Sequence, residues 1–211
     1  MKGILWKYES SDDDFLRDKG KCSDPDFCCN KVPVWAICAP RVRKNLDKRD
    51  IVFFIPQKSM KNFRGYMCTG VLVVEEKIEA HHEILEDRRL SLNYLKAFRS
   101  DLRNHRMRAT EQGNLDTCKL LEQNFIIGNS KSSFWLGRSG PEIEAKLKEV
   151  KLYEQLRALS TGMNQSIPHL KERQAKELYE TIKRDSTPIS PSIMRKRPHV
   201  VDQHSSCSHL R

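Results

Sequence analysis

Apolar residues along the first half of the chain fall into short runs of strand length, and the pattern turns to a helical repeat after about residue 80. Gly3 to Tyr8 reads as a first strand, followed by a polar loop from Glu9 to about Asp26 that carries Asp12, Asp13 and Asp14. Val34 to Cys38 and Ile51 to Ile55 are rich in residues that suit a pleated, buried surface, so each predicts a strand. Between them Pro40, with its fixed φ and missing N–H, suits the first turn of a helix from Arg41 to Leu46 that closes at Asp47 to Asp50. Pro56 ends the second of these strands. Tyr66 to Ile78 predicts a long strand whose exit to solvent is marked by Glu75, Glu76 and Lys77.

Residues 80 to 108 place Leu92, Leu95, Phe98 and Leu102 at helical spacing with arginines between them, which predicts an amphipathic helix with a basic outer face, broken by Gly113 and Asn114. Asn124 to Gly128 and Ser133 to Leu136 read as two strands joined by a hairpin-like polar turn. Ser139, Gly140, Pro141 and Glu142 resemble a helix start, and Ile143, Leu147, Val150 and Tyr153 give the helix from Pro141 to Leu159 an apolar side. Pro168 to about Arg184 predicts a surface-docked helix. Ser186 to Arg211, with Pro188, Pro191 and Pro198 and little to bury, is expected to be a disordered basic tail.

A chain of 211 residues with 38% hydrophobic residues holds one core of ordinary size plus appendages. Its net charge of +10 is concentrated. Residues 41 to 64 carry eight Lys or Arg against two Asp, and residues 88 to 108 carry seven against one. Each segment alone is therefore a local +6, and clustered cations of this kind gain affinity for polyanions by releasing counterions from phosphates. The N-terminus has no basic stretch followed by a sustained apolar run, and the cysteines number seven, an odd count. The expectation is a cytoplasmic, intracellular protein with reduced thiols. The apolar runs are all far shorter than a membrane span, so no membrane partner is expected.

Within VWAICAPRVRKNLDKRDIVFFIP (residues 34–56), the residues Trp35, Ala36, Cys38, Pro40, Val42, Arg43, Asp50, Val52 and Phe54 follow the order of a pattern LAxCxPxIRxxxxxGDxVxxF, with Trp35 and Val42 at its Leu and Ile and Phe54 one place before its last Phe. In this the chain resembles the nucleotide-modification-associated domain family of the PUA-like superfamily, which includes the ASCH, EVE and YTH modules. The similarity extends over roughly residues 1–140, where YMCTGVLVVEEKI and FIIGNSKSSFWLG also sit where that family has a strand and a hairpin. The resemblance implies an α+β fold: a small mixed PUA-like β-barrel with short helices over residues 1–140, followed by a helical extension at 141–185 and the tail at 186–211. It further implies a module that binds nucleic acid, DNA or RNA, or a modified nucleotide in a base-modification context. Two positions depart from the pattern. The glycine before the aspartate is Arg49, which tolerates a positive φ poorly, and the lysine between Cys and Pro is Ala39.

Arg41, Arg43, Lys44, Lys58 and Arg64 are the candidate phosphate or base-edge contacts, since a guanidinium fork suits both. For Arg43 an ion pair with Asp50, fixing the helix against the next strand, is the competing structural reading. Trp6 and Trp135 are candidates to stack on an extruded base, whereas Trp35, inside an apolar strand, reads as core. Cys38, Pro40 and Asp50 form the structural part of the motif. Cys22, Cys28, Cys29 and Cys38, with His81 or His82, lack the paired spacing of a zinc site, so neither metal nor cofactor is expected. GxSxG, HExxH, P-loop and dinucleotide glycine patterns are missing, and the sequence leaves open whether the chain is an enzyme of base modification. The helices of residues 141–184 either dock a protein partner or pack on the barrel.

Overall fold

The computed structural model describes residues 1–8, 24–56, 66–137, 140–158 and 168–186. The predicted tail, the acidic loop around Asp12 to Asp14, and Lys58 and Arg64 lie outside the described residues. In chain order the elements are β1 (Gly3–Tyr8), β2 (Val34–Trp35), α1 (Pro40–Lys44), β3 (Ile51–Pro56), β4 (Gly70–Ala80), α2 (His81–Glu86), α3 (Leu92–Glu111) and α4 (Leu115–Leu121). Then follow β5 (Gln123–Gly128), β6 (Phe134–Trp135), α5 (Glu144–Glu149), α6 (Tyr153–Ala158), β7 (His169–Leu170) and α7 (Glu172–Asp185). No helix among the described residues is long and apolar enough to cross a membrane.

The fold is α+β, built on one mixed sheet of seven strands in the order β2-β5-β4-β3-β1-β7, with β6 also paired to β4. Among the described strands only β1 and β3 run parallel, in the register Gly3↔Ile51 to Tyr8↔Pro56. The long β4 bridges both halves: Gly70 to Val73 pair with Phe54 to Ile51, and Val74 to Ala80 pair with Gly128 to Gln123 across a bulge between Val74 and Glu76.

Alternation along the strands sorts side chains onto two faces. Ile4, Val52, Phe54, Leu72, Val74 and Ile126 point to the inner side, with Trp35 and Trp135. On the other side, Leu5, Ile51, Phe53, Ile55 and Val71 meet α5, α6 and α7, and further along the sheet Val34, Ile78, Phe125 and Ile127 meet α2, α3 and α4.

The sheet curls but does not close into the barrel that the resemblance implies. β1 and β2 approach through side chains alone, Trp6 against Trp35 with ring centroids 5.8 Å apart. The physical reason lies at β2, which stops after two residues. Asp24 takes the next amides: its Oδ1 accepts from Ala36 N at 2.6 Å, and its Oδ2 accepts from Ile37 N at 2.9 Å and from Cys38 N. No ladder can continue where those N–H groups are already bound.

Two predicted helices are each broken in two. The stretch 80–108 splits at residues 87–91, where the Asp87 carboxylate accepts the Arg89 backbone N–H and Ser91 caps α3 by accepting from Tyr94 N at 3.2 Å. The stretch 141–159 splits into α5 and α6 at Lys151, which has a φ of 59°. The turn into this last layer runs so close to β4 that a Cβ on Gly140 would sit 1.9 Å from the Cys68 carbonyl oxygen. α7 buries Ala175, Leu178 and Ile182 against the sheet, so the apolar stripe of the C-terminal helices is turned inward.

Candidate nucleic-acid interface

α1 begins at Ala39, held in the left-handed region at φ 51°, ψ 54°, and Pro40 occupies its first turn. Five residues make little more than one turn, enough to divide the basic side chains between two environments. Val42, Arg43 and Leu46 turn inward, whereas Arg41 and Lys44 are exposed.

Arg43 is fully buried. Its Nη1 donates to the carbonyls of Gln123 (2.8 Å) and Asn124 (2.7 Å), its Nε to Cys38 O (3.2 Å), and its Nη2 to Ile37 O (3.4 Å). The guanidinium carbon lies 5.5 Å from the centroid of the Phe125 ring. Burial pushes its pKa down to about 10, against the opposing influence of Asp24, so it stays charged at neutral pH. Arg43 therefore clasps α1 to the start of β5 and has no surface left for a ligand.

Nor does it pair with Asp50. The buried Asp50 carboxylate accepts from Lys2 N (2.8 Å) and from Asp47 N (2.9 Å), with Lys2 Nζ 3.4 Å away. The expected Arg43 to Asp50 pair is replaced by two separate knots, one to backbone carbonyls and one to the N-terminal strand.

Arg49 stands at φ 75°, in the left-handed conformation that a glycine there would take without strain. A non-glycine residue in this region costs ~1–2 kcal/mol, offset in part by ~0.5–1 kcal/mol for the greater freedom of glycine in the unfolded chain. Arg49→Gly is thus expected to raise the urea midpoint slightly, by the equivalent of about 0.5–1 kcal/mol. A lowered midpoint would show that the Arg49 side chain contributes more than the strain costs.

Trp135 is buried, its ring laid over Gly70, where a Cβ would come within 2.5 Å of it, and 5.5 Å from the Phe27 ring. Phe27 enters the curl of the sheet between Trp135 and Phe54, so Trp135 is core and offers no stacking face. Trp6 is half-buried at the rim, beside a Trp35 whose Nε1 is buried without a hydrogen-bond partner. Of the motif's structural residues, Pro40 and Asp50 are buried and Cys38 is half-buried.

Asp26, Cys28 and Cys29 bring three ligand-type atoms within 4.8 Å of one another. Their chemistry is already taken up: Asp26 accepts from Cys29 N at 3.1 Å and from Asn30 Nδ2 at 2.8 Å, and Cys29 is disulfide-bonded. The expectation of reduced thiols thus fails at Cys29, while Cys28, Cys38, Cys68 and Cys118 carry no disulfide. Neither His81 nor His82 joins a ligand cluster among the described residues.

The second basic segment becomes the exposed side of α3. Lys96, Arg99, Arg103 and Arg106 recur at helical spacing along it, and the buried Tyr94, Leu95, Phe98 and Leu102 hold the adjoining side to the sheet. Arg106 pairs with Glu122 at 2.6 Å. Lys96, Arg99 and Arg103 have no ion pair among the described residues, and the same holds for Lys44, Lys48 and Arg49 around α1. α4, which periodicity did not reveal, packs against both α1 and α3 and so links the two basic segments. Its signal was the cap Asn114, whose side chain accepts from Thr117 N at 3.1 Å.

The fold thus defines a class, an α+β protein with an open, curled seven-stranded mixed sheet. No family model and no curated protein matches the chain.

Proposed function

We propose that the protein is a nucleic-acid-binding module whose contacts are made by the exposed cations of α3 and α1. The observation that carries this reading is that six of them, Lys44, Lys48, Arg49, Lys96, Arg99 and Arg103, stand in solvent with no carboxylate partner among the described residues. Unpaired like charges on one surface repel one another, and a polyanion relieves that repulsion while gaining the entropy of released counterions. The context of base modification, and the choice between polymer and modified nucleotide, come from the resemblance to the nucleotide-modification-associated domains. Trp6 is the one tryptophan with exposed surface, and it supplies the rim on which a base stacks.

Titration of labelled single- and double-stranded oligonucleotides across a salt series tests the reading. Log affinity is expected to fall linearly with log salt, with a slope of about 0.7–0.9 per phosphate contacted. Substituting glutamine at Arg99 and Arg103 together lowers that slope by about 1–2. Absence of binding at low salt, or binding indifferent to salt, refutes the reading.

A further inference from the structure

His81, the first residue of α2, packs its ring 5.7 Å from that of Phe98 and 6.3 Å from that of Phe125. Its Nε2 is buried and has no hydrogen-bond partner. A polar atom left in this way is costly, and it calls for a partner that the described residues do not supply. His81, with Leu102 and the side chains of Arg99, Arg103 and Arg106, lines a depression of about 250 Å³.

The lining selects a ligand by charge, by shape and by size. Arg99, Arg103 and Arg106 follow at intervals of four and three residues, so they stand one above another on a single helix face. Two of the three have no counter-ion among the described residues, where Glu122 pairs with Arg106. Planar guanidinium forks match the paired oxygens of a phosphate. The buried Leu102 beneath them excludes water on one side, which strengthens charge-assisted hydrogen bonds. The volume falls below the ~300–1,000 Å³ usual for drug-sized ligands, so it suits one phosphate with part of a sugar rather than a whole nucleotide.

We propose that this depression between α2 and α3 is a phosphate-binding site in which Arg99 and Arg103 grip the phosphate oxygens beside the imidazole of His81. The choice of phosphate as ligand rests on the nucleic-acid reading above, but the geometry of the depression does not. The phosphate is either free, at the end of a strand, or within one.

The test uses the full chain, with inorganic phosphate and a pair of oligonucleotides identical except for a 5′-phosphate or a 5′-hydroxyl. Titration with inorganic phosphate is expected to shift the His81 imidazole NMR signal saturably, and R99Q/R103Q, two exposed substitutions that leave the core intact, to weaken that response about tenfold or more. Binding stronger for the 5′-phosphorylated strand identifies a terminal phosphate. Equal binding of the two strands, weakened alike in R99Q/R103Q, identifies an internal one. A His81 signal unmoved by inorganic phosphate overturns the site, and salt-sensitive oligonucleotide binding whose slope still falls in R99Q/R103Q then leaves the nucleic-acid reading standing. A phosphate response without oligonucleotide binding keeps the site and removes that reading.

Discussion

A chain ended after residue 140 is expected to lose cooperative folding. The cut removes β7, which pairs with β1 through Gly3↔Leu170 and Ile4↔His169, and the Pro168 carbonyl that accepts from Leu5 N at 3.1 Å. It also strips Ile143, Leu147, Leu152, Leu156, Leu170, Leu178 and Ile182 from a cluster they share with Leu5, Ile51, Phe53 and Ile55. Each large aliphatic side chain contributes about 1.5–3 kcal/mol when buried, so the loss is on the order of 10–20 kcal/mol as an upper bound. A domain is stable by only about 5–15 kcal/mol. Urea unfolding followed by circular dichroism should show one sigmoidal transition for the full chain and a sloping trace for the fragment, which should also bind a hydrophobic dye. A fragment that unfolds cooperatively would mean that the last layer is a detachable arm. With its apolar side on the sheet, α7 turns outward a surface on which Arg173 pairs with Glu177 at 2.9 Å and Lys176 with Glu172 at 2.8 Å.

Arg43→Ala is expected to destabilise the protein by about 3–5 kcal/mol, because carbonyls of Ile37, Cys38, Gln123 and Asn124 lose their donor inside the core. Lysine should recover little of this. Its single ammonium cannot span the four acceptors that a planar guanidinium reaches. The urea midpoint is the measurement, and a drop equivalent to less than about 1 kcal/mol would show that water replaces the arginine without penalty. Oligonucleotide affinity, measured where the variant is still folded, should be unchanged, since Arg43 has no exposed surface. A selective loss of affinity in a stably folded variant would return Arg43 to the interface.

The strands were the most legible part of the chain. Ile51 to Ile55 and the run through Val71 to Val74 alternate between two buried faces, and such runs announce themselves without knowledge of partners. Pro40 marked α1, and Arg49, standing where the pattern that the chain resembles has a glycine, marked a left-handed residue at φ 75°. α4 was invisible because it buries only Thr117 and Leu121 and leaves Leu115 in solvent, which makes no repeat. The role of Arg43 was hidden for a different reason. Its strongest acceptors are main-chain oxygens 80 and 81 residues away, which bear no residue-type signature. Asp50 misled in the same way, since two backbone amides and the Lys2 ammonium took the place assigned to Arg43. For the candidate interface, the basic character of α3 could be read from spacing, while the approach of His81 to it depended on where α2 broke from α3.

Asp24 ends β2 by occupying the amides of Ala36, Ile37 and Cys38. β2 lies at one margin of the sheet, and an extended chain from another molecule can add to such a margin only where donors are vacant. The carboxylate thus plugs the sockets into which an extended chain from another molecule would otherwise fit.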